Sequence, residues 1–137
     1  MIIVDTNIVS ELLRRVPDES VANWVDSHPL LSTTAVTVQE SYYGLERMPE
    51  SRRRSALFDQ LDRVFEEVFG PRLLPYDAVA ARCTAALVVV RERMGRPIRV
   101  ADAQIAGIAL AHGASLATRN TRNFAGLPLD VVDPWRR

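Results

Sequence analysis

Short apolar runs alternate with longer segments of helical periodicity along this chain. The first run, Ile2–Val4, is apolar at both even and odd positions, which is typical of a strand that is buried on both faces. Further runs predict short strands at residues 30–32, 73–76, 115–117 and 130–132. Strands that alternate with helices predict an α/β fold with a mostly parallel sheet.

Between these runs, apolar residues recur at intervals of three and four residues, which predicts amphipathic helices. The predicted helices cover residues 6–13, 18–27, 32–48, 52–69, 77–94 and 100–112. The last of them is apolar on almost every side, so we expect it to be buried. Because the 137 residues contain no internal repeat, low-complexity segment or linker, we expect a single domain that spans residues 1–137.

Composition limits the classes of function. The chain is 47% hydrophobic and 25% charged, which is typical of a globular protein. Its 17 basic residues balance 17 acidic residues, so the net charge gives no general attraction to nucleic acid. All basic residues are arginine, and the absence of lysine excludes a phosphate-binding P-loop and a Schiff-base enzyme.

The chain also lacks the features of an exported or membrane protein. Its one cysteine, Cys83, cannot form an internal disulfide. No apolar run is long enough to span a bilayer, and the first residues have no basic start of the kind found in signal peptides. We therefore expect a cytoplasmic protein that makes no contact with membranes.

Five polar residues fall at the ends of predicted strands or early in the helices that follow them. Asp5 ends the first strand, Glu40 and Asp102 lie in the first turns of predicted helices, and Thr118 and Asn120 follow the strand at 115–117. In a parallel sheet, the carboxyl ends of strands and the starts of the following helices share one edge. We therefore expect these side chains to converge there.

Each acid also has a purely structural interpretation. Asp5 could cap the next helix, and Glu40 and Asp102 could stabilise a helix dipole, which contributes about 0.3–1 kcal/mol. An unpaired acid inside a buried helix costs more than that, which favours a functional interpretation of Asp102. Three clustered carboxylates repel one another unless a cation joins them, and hard oxygen ligands select Mg²⁺ or Mn²⁺. No cluster of histidine or cysteine indicates zinc.

Four stretches resemble the motifs of the PIN domain: MIIVDTN with Asp5, TVQESYYGL with Glu40, VADAQIAGIA with Asp102, and LATRNTRNF. With the chain length and the ending VVDPW, their order resembles the VapC toxins of bacterial toxin–antitoxin pairs, particularly the FitB-like branch. The resemblance covers essentially the whole chain. It implies a three-layer α/β/α sandwich around a short, mostly parallel central sheet.

The resemblance also implies a Mg²⁺- or Mn²⁺-dependent endoribonuclease that acts as a toxin. Metal-activated water would attack an RNA phosphodiester in line and leave a 5′-phosphate and a 3′-hydroxyl. Asn120 falls where many relatives carry a fourth acid, and Asn7 and Thr118 match positions that orient the carboxylates. The implied catalytic residues are Asp5, Glu40, Asp102 and Asn120, of which the three acids would hold the metal.

Position in the chain indicates candidate substrate contacts, and the resemblance implies the protein partners. Four arginines near the predicted active edge could hold RNA phosphates, although a solvated surface or ion pairs would explain them equally well. They are Arg96, Arg99, Arg119 and Arg122. The implied protein partners are a cognate VapB- or FitA-like antitoxin and a second copy of the chain in a homodimer, or a higher oligomer with the antitoxin.

Two other functions remain open. One is a non-catalytic PIN-like module for RNA binding or dimerisation, which the intact set of three acids disfavours. The other is a metal-dependent phosphatase that acts on a small substrate, which the absence of lysine and of a covalent nucleophile disfavours.

Overall fold

The computed structural model describes residues 1–136. These residues form five short strands: β1 (Ile2–Val4), β2 (Thr33–Thr34), β3 (Leu73–Leu74), β4 (Ser115–Ala117) and β5 (Val131–Val132). They also form six α-helices: α1 (Thr6–Leu12), α2 (Glu19–Asp26), α3 (Ala35–Glu46), α4 (Arg52–Arg63), α5 (Ala78–Arg93) and α6 (Val100–Ala111). A π-helical segment, Val64–Phe69, continues α4, and a 3₁₀ turn covers Thr121–Phe124. The predicted alternation of strands and helices is therefore confirmed.

The strands of residues 1–136 form a parallel sheet. Strand β1 pairs with β4, β4 pairs with β5, and β2 pairs with β3. A parallel bridge between Ile3 and Ser32 connects β1 to the segment that enters β2. The order across the fold is therefore β3–β2–β1–β4–β5. Because these pairings are parallel, the carboxyl ends of the strands lie at one edge.

The second strand begins later than the hydrophobic pattern predicts. The prediction of a strand at residues 30–32 is wrong: only Ser32 bridges to the sheet there, and β2 consists of Thr33 and Thr34. Both threonines are fully buried. Thr33 Oγ1 donates a 2.9 Å hydrogen bond to the carbonyl of Val4, and Thr34 Oγ1 caps α3. Because both hydroxyls have partners, these β-branched residues occupy a buried strand although they are polar.

The helix predicted at 32–48 is Ala35–Glu46 in the structure, because residues 33 and 34 belong to β2, and two other predicted elements also differ from the observed ones. The strand predicted at 73–76 ends at Leu74, because Pro75 has no N–H to donate to a neighbouring strand. The helix predicted at 52–69 changes to π-helical hydrogen bonding at Val64. Neither difference moves a predicted site residue.

Side chains of the sheet point alternately into two hydrophobic cores. Ile3 packs in a core with helices α5 and α6, whereas the next residue, Val4, packs in a second core with α1, α2 and α4. Helices therefore cover both faces of the sheet, and the predicted three-layer α/β/α sandwich is confirmed.

Helix α6 is largely buried, as its apolar pattern predicts, and it packs closely against α5 at Gly107. A Cβ atom at Gly107 would lie 1.9 Å from Oγ1 of Thr84 and 2.8 Å from the carbonyl oxygen of Ala80. The missing side chain therefore permits the close approach of the two helices. This contact fixes the position of α6, which carries Asp102 in its first turn.

None of the helices formed by residues 1–136 combines the length and apolar character that a membrane crossing requires. The extent of the domain, residues 1–137, stays a prediction. Its last residue, Arg137, lies outside the described residues.

Candidate metal and phosphodiester site

Asp5 lies where β1 ends and α1 begins, and it is only 4% exposed. Its Oδ1 accepts a 2.7 Å hydrogen bond from the N–H of Thr6, so the helix cap that was the structural alternative for Asp5 is present. Its Oδ2 accepts a 2.7 Å hydrogen bond from the hydroxyl of Thr118. The cap and the position at the sheet edge are thus two roles of one carboxylate, which is held at both oxygens.

Thr118 and Asn7 both form hydrogen bonds with Asp5, and their supporting role in the site stays a prediction. Thr118 follows β4 and is fully buried. While its hydroxyl donates to Asp5, it accepts hydrogen bonds from Nδ2 of Asn7 at 3.2 Å and from the N–H of Asn120 at 3.1 Å. Oδ1 of Asn7 in turn accepts from the N–H of Arg119 at 3.2 Å. This network connects the start of α1 to the segment after β4.

Glu40 reaches the same region from the second turn of α3. Its Oε1 accepts a 2.7 Å hydrogen bond from the hydroxyl of Thr6, whose oxygen is also 3.1 Å from that of Thr37. Thr6 therefore touches two of the predicted acids, through its N–H and through its hydroxyl. Thr6 was not among the residues predicted from the sequence, although its position directly after Asp5 was the available signal.

Asp102 comes from the first turn of α6 and is 4% exposed. Its carboxylate faces the guanidinium of Arg99, with distances of 3.2 Å from Nε to Oδ2 and 3.3 Å from Nη2 to Oδ1. Nδ2 of Asn123, in the 3₁₀ turn, donates to Oδ2 at 3.3 Å. Nη2 of Arg99 also lies 3.9 Å from Oε2 of Glu40. One cation thus lies against two of the three predicted acids.

The three acids interact electrostatically. Burial raises the pKa of Asp5, and the charges of Asp102 and Glu40 raise it further. The hydrogen bonds from Thr118 and Thr6 act in the opposite direction. The hydrogen bond and the charge of Asp102 raise the pKa of Arg99, which stays a cation. The raised pKa of Asp5 is therefore consistent with the predicted convergence of the three acids.

These side chains open onto one polar cavity of about 240 Å³ at the carboxyl edge of the sheet. The cavity is lined by Asp5, Thr6, Asn7, Ser10, Glu40, Arg99, Asp102 and Asn120. All four predicted catalytic residues are among them. Their chemical roles stay predictions.

The donor set fits a hard divalent cation in type, since three carboxylates from three different elements face the cavity. Among residues 1–136, however, no three acidic, imidazole or thiol side chains are grouped closely enough to hold an ion as they stand. The guanidinium of Arg99 contacts two of the three acids. The residues therefore fit Mg²⁺ or Mn²⁺ in type, and their carboxylates would have to move closer together to hold the ion.

The other predicted arginines lie in different surroundings. Arg96, Arg119 and Arg122 are exposed. The guanidinium carbon of Arg119 lies 5.1 Å from the centre of the Trp135 ring. These positions leave their predicted contact with phosphate open, whereas Arg99 forms an ion pair with the acids.

Arg91 forms hydrogen bonds with two segments next to the site. It was not predicted from the sequence, because an arginine in the last turn of α5 resembles a surface residue. It is 4% exposed. Its Nε donates a 2.8 Å hydrogen bond to the carbonyl of Arg96, and its Nη1 donates to the carbonyl of Asn123. It thereby joins the loop before α6 to the turn that carries a partner of Asp102.

Comparison with known proteins agrees with this geometry. The PIN domain family model matches residues 2–128. The chain is 38% identical to the VapC ribonuclease Y4jK of Sinorhizobium fredii, and the alignment covers 98% of each chain. It is 34% identical to toxin FitB of Neisseria gonorrhoeae over 98% of this chain and 99% of that one. The crystal structure of FitAcB from Neisseria gonorrhoeae superposes with a TM-score of 0.92 at 33% identity and covers 100% of both chains.

The chain thus has a polar cavity at the carboxyl edge of a short parallel sheet that helices cover on both faces. It also matches known relatives in sequence and in fold. The chain belongs to the PIN domain family. Its similarity to proteins named VapC and FitB extends over nearly its full length, so the resemblance found in the four motifs is confirmed.

Proposed function

We propose that this protein is a divalent-metal-dependent endoribonuclease that acts as the toxin of a toxin–antitoxin pair. The observation that carries the proposal is the convergence of Asp5, Glu40 and Asp102 on one cavity from three separate elements. The relatives named VapC ribonuclease and toxin FitB support the activity and the biological role. The single domain would comprise residues 1–137 and act in the cytoplasm.

In this proposal, Asp5, Glu40 and Asp102 hold Mg²⁺ or Mn²⁺. The bound ion would lower the pKa of a water molecule and neutralise charge on the phosphodiester. Hydrogen bonds from Thr118 and the N–H of Thr6 orient Asp5 before any ligand arrives. The hydroxyl of Thr6 orients Glu40 in the same way. Preset carboxylates reduce the reorganisation that is needed when substrate binds.

Asn120 would orient water or a phosphate oxygen beside the acids. Its backbone N–H is fixed by Thr118, while its side chain lines the cavity. As an amide, it offers an oxygen acceptor and two N–H donors but adds no negative charge. The acids of the site therefore supply three negative charges where a fourth acid would supply four, which favours one cation over two.

The exposed arginines near this edge would bind the RNA backbone. Arg96, Arg119 and Arg122 carry guanidinium groups that can form paired hydrogen bonds with phosphate oxygens. The acids alone would repel a polyanion, so these cations have a specific task in a chain of zero net charge. The protein partners in this proposal are a VapB- or FitA-like antitoxin and a second copy of the chain.

Cleavage of an end-labelled RNA by the purified protein tests the proposal. We expect cleavage with Mg²⁺ or Mn²⁺, none with EDTA, and fragments that carry 5′-phosphates. Asp5→Asn should abolish cleavage, whereas Asp59→Asn, which changes an exposed acid on α4, should not.

The same experiment separates the alternatives. A non-catalytic module would bind the RNA and leave it intact, whereas a phosphatase would hydrolyse p-nitrophenyl phosphate and not the RNA. Full cleavage by Asp5→Asn would contradict the assignment of the site. Cleavage in EDTA would contradict the need for metal.

A further inference from the structure

The contact between Arg99 and the acids places a protein cation where the proposed site needs a metal. Nε and Nη2 of Arg99 lie 3.2 Å and 3.3 Å from the two carboxylate oxygens of Asp102. This fork arrangement uses both oxygens of that carboxylate at once. Nη2 is also 3.9 Å from Oε2 of Glu40. Arg99 thus partly neutralises two of the three acids that line the proposed metal site.

The surroundings of Arg99 allow it to leave. Its side chain is 71% exposed, whereas that of Asp102 is 5% exposed. Ion pairs with one solvated partner are weak, because water screens the charges and a long side chain loses conformational freedom when it is held. Arg99 also precedes α6 without capping it through its side chain. Its departure would therefore leave no helix N–H without a partner.

We propose, on the basis of the metal site in Proposed function, that Arg99 is an intramolecular competitor of the divalent cation. The guanidinium pairs with Asp102 and Glu40 when metal is absent, and it must release Asp102 before the cation can bind both acids. The wild-type protein accordingly binds the metal more weakly than the three carboxylates alone would. Arg99 limits metal binding in this role, which differs from the phosphate contact predicted from the sequence.

A direct competitor differs from a distant charge in a way that variants can detect. Arg99→Gln removes the charge and the fork, whereas Arg99→Lys keeps the charge but cannot form two parallel N–H···O bonds. Arg96 provides a matched control, since it is an exposed arginine three residues earlier in the same loop. Its contact with Arg91 uses the backbone carbonyl, so Arg96→Gln retains that contact.

The test is Mn²⁺ binding to the metal-free protein, measured by the electron paramagnetic resonance signal of free Mn²⁺ at constant pH and ionic strength. We expect Arg99→Gln to lower the Kd about two- to fivefold, which corresponds to the weakness of an exposed ion pair. Arg99→Lys should give a Kd between those of the wild type and Arg99→Gln. Arg96→Gln should change the Kd less than Arg99→Gln does. Circular dichroism spectra should show that all variants are folded.

The outcomes separate this inference from the proposed function. If the wild type binds Mn²⁺ and Arg99→Gln binds it equally or more weakly, competition is wrong while the metal site stands. If Arg96→Gln tightens binding as much as Arg99→Gln does, the loss of a nearby positive charge explains the effect, and direct competition by Arg99 is wrong. If neither the wild type nor Arg99→Gln binds Mn²⁺, the metal site itself is wrong and the competition with it.

Discussion

Asp102 and Glu11 are both acidic side chains on helices, and both are 4% exposed, but their surroundings differ. Oε2 of Glu11 accepts a 2.8 Å hydrogen bond from the N–H of Asp18 and lies 3.3 Å from Nη1 of Arg14. These partners are near Glu11 in the sequence and connect α1 to the start of α2. Asp102 instead faces a cavity that it shares with acids from the end of β1 and from α3.

The difference shows that burial does not by itself identify a functional acid. Each acid pairs with an arginine three residues away, but the carboxylate of Glu11 also accepts from the N–H of Asp18 and so stabilises a local turn. The charge of Asp102, by contrast, contributes to the raised pKa of Asp5, an acid from a distant part of the sequence. A buried acid is therefore a better candidate for a functional role when its charge raises the pKa of another acid. It is a better candidate still when a metal ion could replace the arginine beside it.

Asp102→Asn should have the largest effect, and the effect should be on activity. We expect RNA cleavage to fall at least about 100-fold, because even residues that only support metal ligands contribute roughly 10- to 100-fold. The free energy of unfolding without metal should stay within about 1 kcal/mol of the wild type, since a lost exposed ion pair and relieved repulsion offset each other. Cleavage assays and urea unfolding in EDTA measure the two quantities. If the variant is unfolded as well as inactive, Asp102 is needed for stability, as Glu11 is, and the proposed difference between the two acids is wrong.

Glu11→Ala should show the reverse pattern. The N–H of Asp18 would lose its acceptor in a partly buried turn, so we expect the free energy of unfolding to fall by about 1–3 kcal/mol. Cleavage per folded molecule at low temperature should be unchanged. Glu11→Gln keeps an acceptor oxygen and should be closer to the wild type in urea unfolding. A loss of cleavage in a fully folded Glu11→Ala protein would show that Glu11 also contributes to activity, which would contradict its purely structural role.

The smallest expected effect is a pH dependence of stability that comes from Asp5. Because its folded pKa lies above the ordinary value of 3.8, Asp5 stabilises the fold below that pH. This contribution is lost as pH rises through the raised pKa. Each tenfold difference in proton affinity between the folded and unfolded chains corresponds to roughly 1.4 kcal/mol of stability.

Urea unfolding in EDTA at several pH values measures this contribution. The difference between Asp5→Asn and the wild type should change in favour of the variant as pH rises from about 4 to 7. A difference that stays constant with pH would mean that the anionic form of Asp5 is as favourable in the folded protein as in the unfolded chain.

The main features of the site could be predicted because the apolar pattern of the strands allows few sheet topologies. Asp5 follows a strand that is apolar on both faces, and such a strand belongs inside a parallel sheet. Parallel topology then places the start of α6, with Asp102, at the same edge, however far apart the residues are in sequence. The resemblance of the four motifs to PIN domains assigned the remaining positions.

The features that escaped prediction depend on contacts between distant elements. The hydroxyls of Thr33 and Thr34 find partners only when Val4 and the start of α3 are in place, so hydrophobicity alone put the strand too early. Arg91 becomes buried only when the turn at Asn123 covers it. The position of Arg99 relative to Glu40 depends on how α3 and α6 pack, which no local pattern encodes.

The contact at Gly107 has a consequence for maps of inactivating mutations. A side chain there would collide with Thr84 and with the backbone at Ala80, and neither can move aside easily inside a packed interior. Helix α6 would shift as a unit, and Asp102 would shift with it although no atom in the cavity had been altered. Sensitivity to substitution should therefore extend along α6 well beyond the cavity, so the area in which mutations inactivate the protein would be larger than the area that touches RNA.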